Sequence, residues 1–134
     1  MPVIPKTRPV ILYLDDEIQN RISFSAIFRR DYTIILTSSI QEAFQILEYE
    51  RVEIIICSEY ICQMKGIDFL ELTFSKYPTC SRLLVSDYAN TDPMNKAQIF
   101  GYLIKPWDEK LLGKTLEKAH ELFTIKETIF KNFW

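Results

Sequence analysis

The sequence predicts a doubly wound α/β domain built on a parallel five-stranded sheet, and three observations carry that prediction. Residues 10–14, 33–37, 53–57, 82–86 and 102–104 are short runs rich in Val, Ile and Leu, the pattern of strands buried on both faces. Most of the intervening stretches carry apolar residues at helical spacing, and strand–helix–strand repetition gives right-handed crossovers that cover both faces of a parallel sheet. The polar residues gather just after the strands, as Asp15-Asp16-Glu17, Ser58-Glu59, Ser86 and Lys105. Open sheets of this kind hold their ligands and chemistry at those carboxyl ends.

Each element has its own local reason. The first strand, Val10-Ile11-Leu12-Tyr13-Leu14, stops at three consecutive acids. Ile18, Ile22, Phe24, Ala26, Ile27 and Phe28 then form a broad, imperfect helical stripe up to Arg30. After the second strand, Ser39 with Glu42 makes a capping box, followed by Ile40, Ala43, Phe44 and Leu47 on one helical face. The third strand gives way to a loop over 58–65. Gly66 opens a helix carrying Ile67, Leu70, Phe74 and Tyr77, and Pro78 ends it. Beyond the fourth strand, Asp92 and Pro93 suit the cap and first position of a short helix. A single long helix follows the fifth strand from Trp107 to the C-terminus.

Composition excludes several function classes. With 134 residues, 48% hydrophobic and 25% charged, the chain can form one core without disulfides or a structural metal. A net charge of −2 gives no electrostatic reason to bind nucleic acid or an anionic membrane. Three glycines (Gly66, Gly101, Gly113) cannot build a Gly-rich phosphate loop. Cys57, Cys62 and Cys80, with His120 as the one histidine, fall short of a zinc motif and read as reduced thiols. Without a signal-peptide or membrane-spanning pattern, a cytoplasmic location is expected. The expected organisation is an N-terminal extension over 1–8, the domain over 9–122, and a C-terminal helix extension over 123–134.

Over about residues 8–122 the sequence resembles the CheY-like receiver domain of two-component response regulators. The resemblance lies in Tyr13-Leu14-Asp15-Asp16-Glu17, Met64-Lys65-Gly66, Ser86-Asp87-Tyr88-Ala89 and Tyr102-Leu103-Ile104-Lys105-Pro106-Trp107. It implies a flavodoxin-like sheet of strand order 2-1-3-4-5 and a non-enzymatic part in phosphorelay signal transduction. In that family a phosphoryl group passes from a kinase histidine to an aspartate ending the third strand. Mg2+ is held there by the acid pair, that aspartate and a backbone carbonyl. By resemblance, Asp15 and Asp16 are the metal pair, with Asp16 the more direct ligand. Ser86 and Lys105 match the groups that hold the phosphoryl oxygens, and Tyr102 matches the switch aromatic.

The match fails at the nucleophile. The family aspartate stands eight residues before the glycine opening the third helix, and counting back from Gly66 reaches Ser58. Ser58 is neutral and has no adjacent base. Glu59 is one position on, and strand alternation is expected to turn it to the opposite face unless a bulge intervenes. The metal site loses a carboxylate, so no cofactor is expected to be required and Mg2+ is expected to bind weakly if at all. Lys65 adds a positive charge near the pocket. Asp15 or Asp16 is then expected to form a static ion pair with Lys105, and Tyr102 to serve as sheet packing. The stretch between Ala89 and Lys105 is about one helical turn shorter than in relatives with the Lys-Pro-Trp ending, which implies a shortened fourth helix. The expectation is a pseudo-receiver working through protein contacts; the alternative is a functional acceptor using Glu59 or Ser58 with Mg2+.

The last helix outruns the domain. Leu112, Leu116, Ala119, Phe123, Lys126, Phe130 and Phe133 recur at alternating spacings of four and three, with Leu111, Leu122, Ile125 and Ile129 alongside. Exposed aromatic residues at such a helix end favour association. The surplus reads as a coiled-coil-like homodimer seam or a linker to an output domain; folding back onto its own domain is the other arrangement. The partners expected are proteins: an output domain, a histidine kinase or another receiver.

Overall fold

The structure, a computed structural model, describes residues 7–86, 99–104 and 107–133. In chain order its elements are β1 (Val10–Leu14), α1 (Ile18–Phe28), β2 (Thr33–Thr37), α2 (Ile40–Tyr49), β3 (Ile54–Ser58), β4 (Tyr60–Ile61), β5 (Met64–Lys65), α3 (Gly66–Lys76), β6 (Ser81–Ser86), β7 (Ile99–Ile104) and α4 (Glu109–Phe133). Five strands pair in parallel in the order β2-β1-β3-β6-β7. This is the expected doubly wound order, with its reversal between β1 and β3.

Alternation along the central strands divides the core into two layers. Leu12, Leu14, Ile55, Cys57 and Leu84 pack against Ala43 and Leu47 of α2 and Phe69 and Leu70 of α3. Ile11, Tyr13, Ile54, Ile56, Leu83 and Val85 face Phe24 and Phe28 of α1 and Leu112, Leu116 and Ala119 of α4. Tyr13 stacks on Phe24 at 4.5 Å between ring centroids. Arg82, fully buried on the α2–α3 side, has its guanidinium over the Phe74 ring and donates to the Tyr77 carbonyl at 3.1 Å. The Ser39 hydroxyl caps α2 by accepting the Glu42 N–H at 3.2 Å.

Several expectations need correction. The segment over 58–65 is not plain loop: β4 and β5 form a hairpin, pairing Tyr60 with Lys65 and Ile61 with Met64. Its tip holds Cys62 at φ 55°. β7 begins at Ile99, not Tyr102, and its register shifts between Arg82 and Leu83, leaving Phe100 as the extra residue. In α1 only Phe24 and Phe28 are buried, while Ile18 and Ile22 are exposed, so the buried stripe is narrower than the apolar one. The short helix expected after Asp92 lies outside the described residues.

α4 is one continuous helix of 25 residues, and beyond residue 122 it still meets its own domain at Phe123 and Glu127. Leu112, Leu116 and Phe123, expected in a dimer seam, are buried in the domain's own core. They complete the sheet's cover, which leaves them no surface for a partner. Arg51 clasps the helix just beyond, lying over the Phe123 ring and pairing with Glu127 at 3.2 Å. Lys126, the polar interruption of the seam, is half-buried, and burial followed by the charge of Arg82 lowers its pKa. Phe130 remains exposed; the Phe133 side chain lies outside the described residues.

Candidate functional site

Because β1, β3 and β6 run in parallel, Asp15, Ser58 and Ser86 arrive at the same rim of the sheet. Asp15 is 1% exposed. Its carboxylate accepts the Glu17 N–H at 3.0 Å, the Asn20 amide at 2.9 Å and the Tyr13 hydroxyl at 3.2 Å. Burial, and then the neighbouring Asp15 charge and hydrogen bond, pushes the Tyr13 phenol far above its ordinary value. Arg21 donates to the Asp15 carbonyl at 2.6 Å. Asp15 is therefore held by its own neighbours. Asp16 is exposed and accepts the Cys62 N–H at 3.4 Å, a long contact between the β1 end and the hairpin tip.

Ser58 is the last paired residue of β3, opposite Val85, one position further along than the expected strand end. The position eight residues later must be glycine for a steric reason. A Cβ on Gly66 would lie 2.0 Å from the Ser58 carbonyl oxygen and 3.0 Å from Leu84 Cδ1. The start of α3 thus presses directly on the end of β3.

Glu59 continues the ladder: its N–H donates to the Val85 carbonyl at 2.9 Å, and its carbonyl accepts the Gly66 N–H at 2.7 Å. With Ser58 opposite Val85 and no bulge in the pairing, the same register sets Glu59 beside Ser86, on the face opposite Ser58 that alternation expects. There its carboxylate accepts the Ser86 hydroxyl at 2.9 Å.

Ser86 itself is buried at the end of β6. Tyr102 is half-buried and packs against the α2–α3 core layer. Lys65 is exposed on the hairpin. Lys105, and with it the expected pair to Asp15 or Asp16, lies outside the described residues. His120 is at the far end of the sheet, 3.6 Å from Glu53, so no histidine among the described residues can serve Ser58 as a base. Among the described residues no three His, Cys, Asp or Glu side chains converge as metal ligands would. Asp15 is occupied by donors, Asp16 turns to the hairpin and Ser58 brings no charge. The described donors therefore do not fit a hard cation that depends on several convergent charged oxygens.

Fold and rim together define a receiver-type module: a 2-1-3-4-5 sheet with an acid pair, a hydroxyl and a glycine-opened third helix at its carboxyl edge. Residues 11–117 match the response regulator receiver domain family, and the chain belongs to that family. It is 28% identical over 123 residues to the hydrogenase transcriptional regulatory protein HoxA of Bradyrhizobium diazoefficiens, covering 88% of this chain and 25% of that protein. It is 29% identical over 113 residues to the transcriptional regulatory protein ZraR of Escherichia coli K12, covering 81% of this chain and 26% of that one. The chain thus spans about a quarter of the length of these curated relatives. Among solved structures, the signal receiver domain of an HD domain-containing protein from Pseudomonas fluorescens Pf-5 matches with a TM-score of 0.82 at 26% identity, covering 87% of this chain and 98% of that one. The chemotaxis protein CheY4 of Vibrio cholerae shares the fold, with a TM-score of 0.78 at 22% identity over 84% of this chain and 99% of that one. Among the described residues no helix is long and apolar enough to cross a membrane.

Proposed function

We propose that this receiver domain signals without being phosphorylated, as a pseudo-receiver that works through protein contacts. The observation that carries this reading is Ser58 at the end of β3, over the carbonyl that Gly66 presses against. A serine there lacks the charge to hold Mg2+, has no histidine among the described residues to activate its hydroxyl, and would form a phosphate ester in place of the labile acyl phosphate that suits a switch. Mg2+ is accordingly weak or absent in this reading, and no catalysis is assigned to the chain.

Partners are proteins: an output domain, a histidine kinase or another receiver. The distal part of α4 supports a homodimer, but through a shifted seam. With Leu112, Leu116 and Phe123 in the core, the exposed apolar row is Leu111, Ile125 and Ile129, with Leu122 half-buried between them. Leu122, Ile125 and Ile129 keep coiled-coil spacing, and Glu121 and Lys126 flank the row on opposite sides. In a parallel pair those flanks bring opposite charges together.

A second reading has one observation in its favour: the Glu59 carboxylate stands at the rim beside Ser86. In that reading a Glu59 oxygen attacks phosphorus on a phosphohistidine. The P–N bond breaks, its electron pair returns to the imidazole nitrogen, and a glutamyl phosphate forms. Against it stands the donor set: among the described residues no three ligand side chains converge to hold the cation that would neutralise the moving charge. Intact-mass measurement after incubation with acetyl phosphate and Mg2+ separates the two. The first expects an unchanged mass, and a base-labile gain of one phosphoryl group supports the second. Ser58→Asp should acquire a phosphoryl group that the parent chain does not.

A further inference from the structure

The Ser86 hydroxyl, which the resemblance assigns to a phosphoryl oxygen, already has an anionic acceptor in this chain. We propose that Glu59 is the resident anion of the site. Its carboxylate permanently takes the Ser86 hydroxyl, ties the ends of β3 and β6 together, and competes with any phosphoryl group that would bind there. This proposal rests on the reading that Ser58 carries no phosphoryl group and gives that pocket its occupant.

The local geometry makes Glu59 a fixed fixture. Its backbone is gripped on both sides, by the Val85 carbonyl at 2.9 Å and by the Gly66 N–H at 2.7 Å. The chain cannot relieve that grip by sliding. Gly66 already touches the Ser58 carbonyl with no room for a Cβ, and the β4–β5 hairpin closes the segment between them. From this root the carboxylate reaches the buried Ser86 hydroxyl at 2.9 Å. A hydroxyl bonded to an ionised acceptor makes one of the stronger hydrogen bonds available to a neutral donor. Because the acceptor is tethered, an incoming anion competes against a high effective concentration.

Electrostatics sharpens the competition. A phosphoryl group carries up to two negative charges at neutral pH. To reach Ser86 it must displace one carboxylate at a rim that also holds Asp15 and Asp16. The carboxylates already at that rim disfavour added negative charge. Glu59 therefore acts as a positioning residue for the β6 end: it supplies the anion that a modified relative would supply only after transfer.

Restoring the nucleophile alone should consequently give only slow uptake. With acetyl phosphate and Mg2+, the carboxylate of Ser58→Asp attacks phosphorus, the bond to the acetate oxygen breaks, and acetate leaves with the electron pair. That transfer should be slow while Glu59 holds Ser86. The double variant Ser58→Asp/Glu59→Ala should take up phosphoryl groups roughly ten-fold faster or more, a difference of about 1.4 kcal/mol in barrier. Equal rates in the single and double variants would overturn the proposal while leaving the pseudo-receiver reading intact. Phosphoryl uptake by the unmodified chain would instead overturn that reading. If the double variant does not fold, the parent pocket still decides. Glu59→Ala should shift the Ser86 amide resonance and let inorganic phosphate perturb it in titration, whereas Glu59→Gln, which keeps an acceptor oxygen, should leave the resonance near its original position. An unmoved Ser86 resonance in Glu59→Ala contradicts the proposal.

Discussion

Single side chains set the character of this rim. Ser58 ends β3 without a charge, Asp15 is consumed by three donors, and Glu59 answers Ser86. Ser58 could be placed at the end of the third strand because the strand pattern and the count back from Gly66 both point to it. The meeting of Glu59 with Ser86 was not legible, because it depends on the register between β3 and β6, which one strand's pattern does not carry. Buried neutral acids give this scale its pH signature. Burial raises the Tyr13 phenol and the Cys57 thiol and pushes Cys80 up to about 11 from an ordinary 9.0. Their stabilising contribution is complete below the unfolded pKa values and is lost as pH rises, because the unfolded chain then ionises while the fold keeps its protons. Urea unfolding should give constant stability from neutrality to about pH 8.5. It should then decline by about 1.4 kcal/mol per pH unit for each group titrating only in the unfolded chain. A flat profile to about pH 10.5 would contradict the burial of these groups.

Elements show why most, though not all, of the fold could be read in advance. The central strands are continuous apolar runs and the second helix carries an unambiguous cap, so both were recovered. The hairpin was hidden because its tip lacks the Asn-Gly or Asp-Gly signal of tight turns; Cys62 adopts the positive φ such glycines usually supply. The early half of β7 was hidden by Gly101, which reads as a strand boundary yet lies inside the strand. In α1, apolar residues on both the buried and exposed faces blurred the stripe. The contact between β3 and α3 yields a direct prediction. Gly66→Ala must push the start of α3 away from the Ser58 carbonyl, at a cost of about 1–3 kcal/mol in unfolding free energy or more. Gly113→Ala, where the nearest atom to an added Cβ is Phe28 Cε1 at 4.0 Å, should be neutral or stabilising. Comparable losses in both variants would contradict the close approach.

At the scale of the whole molecule, α4 is divided between core and solvent. Its proximal half is core, while its distal half is held by Arg51 at Phe123 and Glu127 and presents Ile125 and Ile129 to solvent. The sequence showed that the helix was too long and too apolar for one sheet. It could not show which of two adjacent rows the sheet would take, since both fit helical spacing. If the free row is the homodimer seam, sedimentation equilibrium should find a dimer that Ile125→Lys/Ile129→Lys converts to a monomer without loss of helicity. A monomeric parent chain, or a dimer indifferent to these changes, would contradict that seam.

The central claim is that this rim is set without phosphoryl transfer. The direct measurement is an amide 1H–15N spectrum of the unmodified chain, recorded before and after adding acetyl phosphate and Mg2+. Unchanged resonances for Glu59, Ser86 and Tyr102 are expected. Coordinated shifts at those positions, accompanied by a phosphoryl gain in mass, would contradict the account.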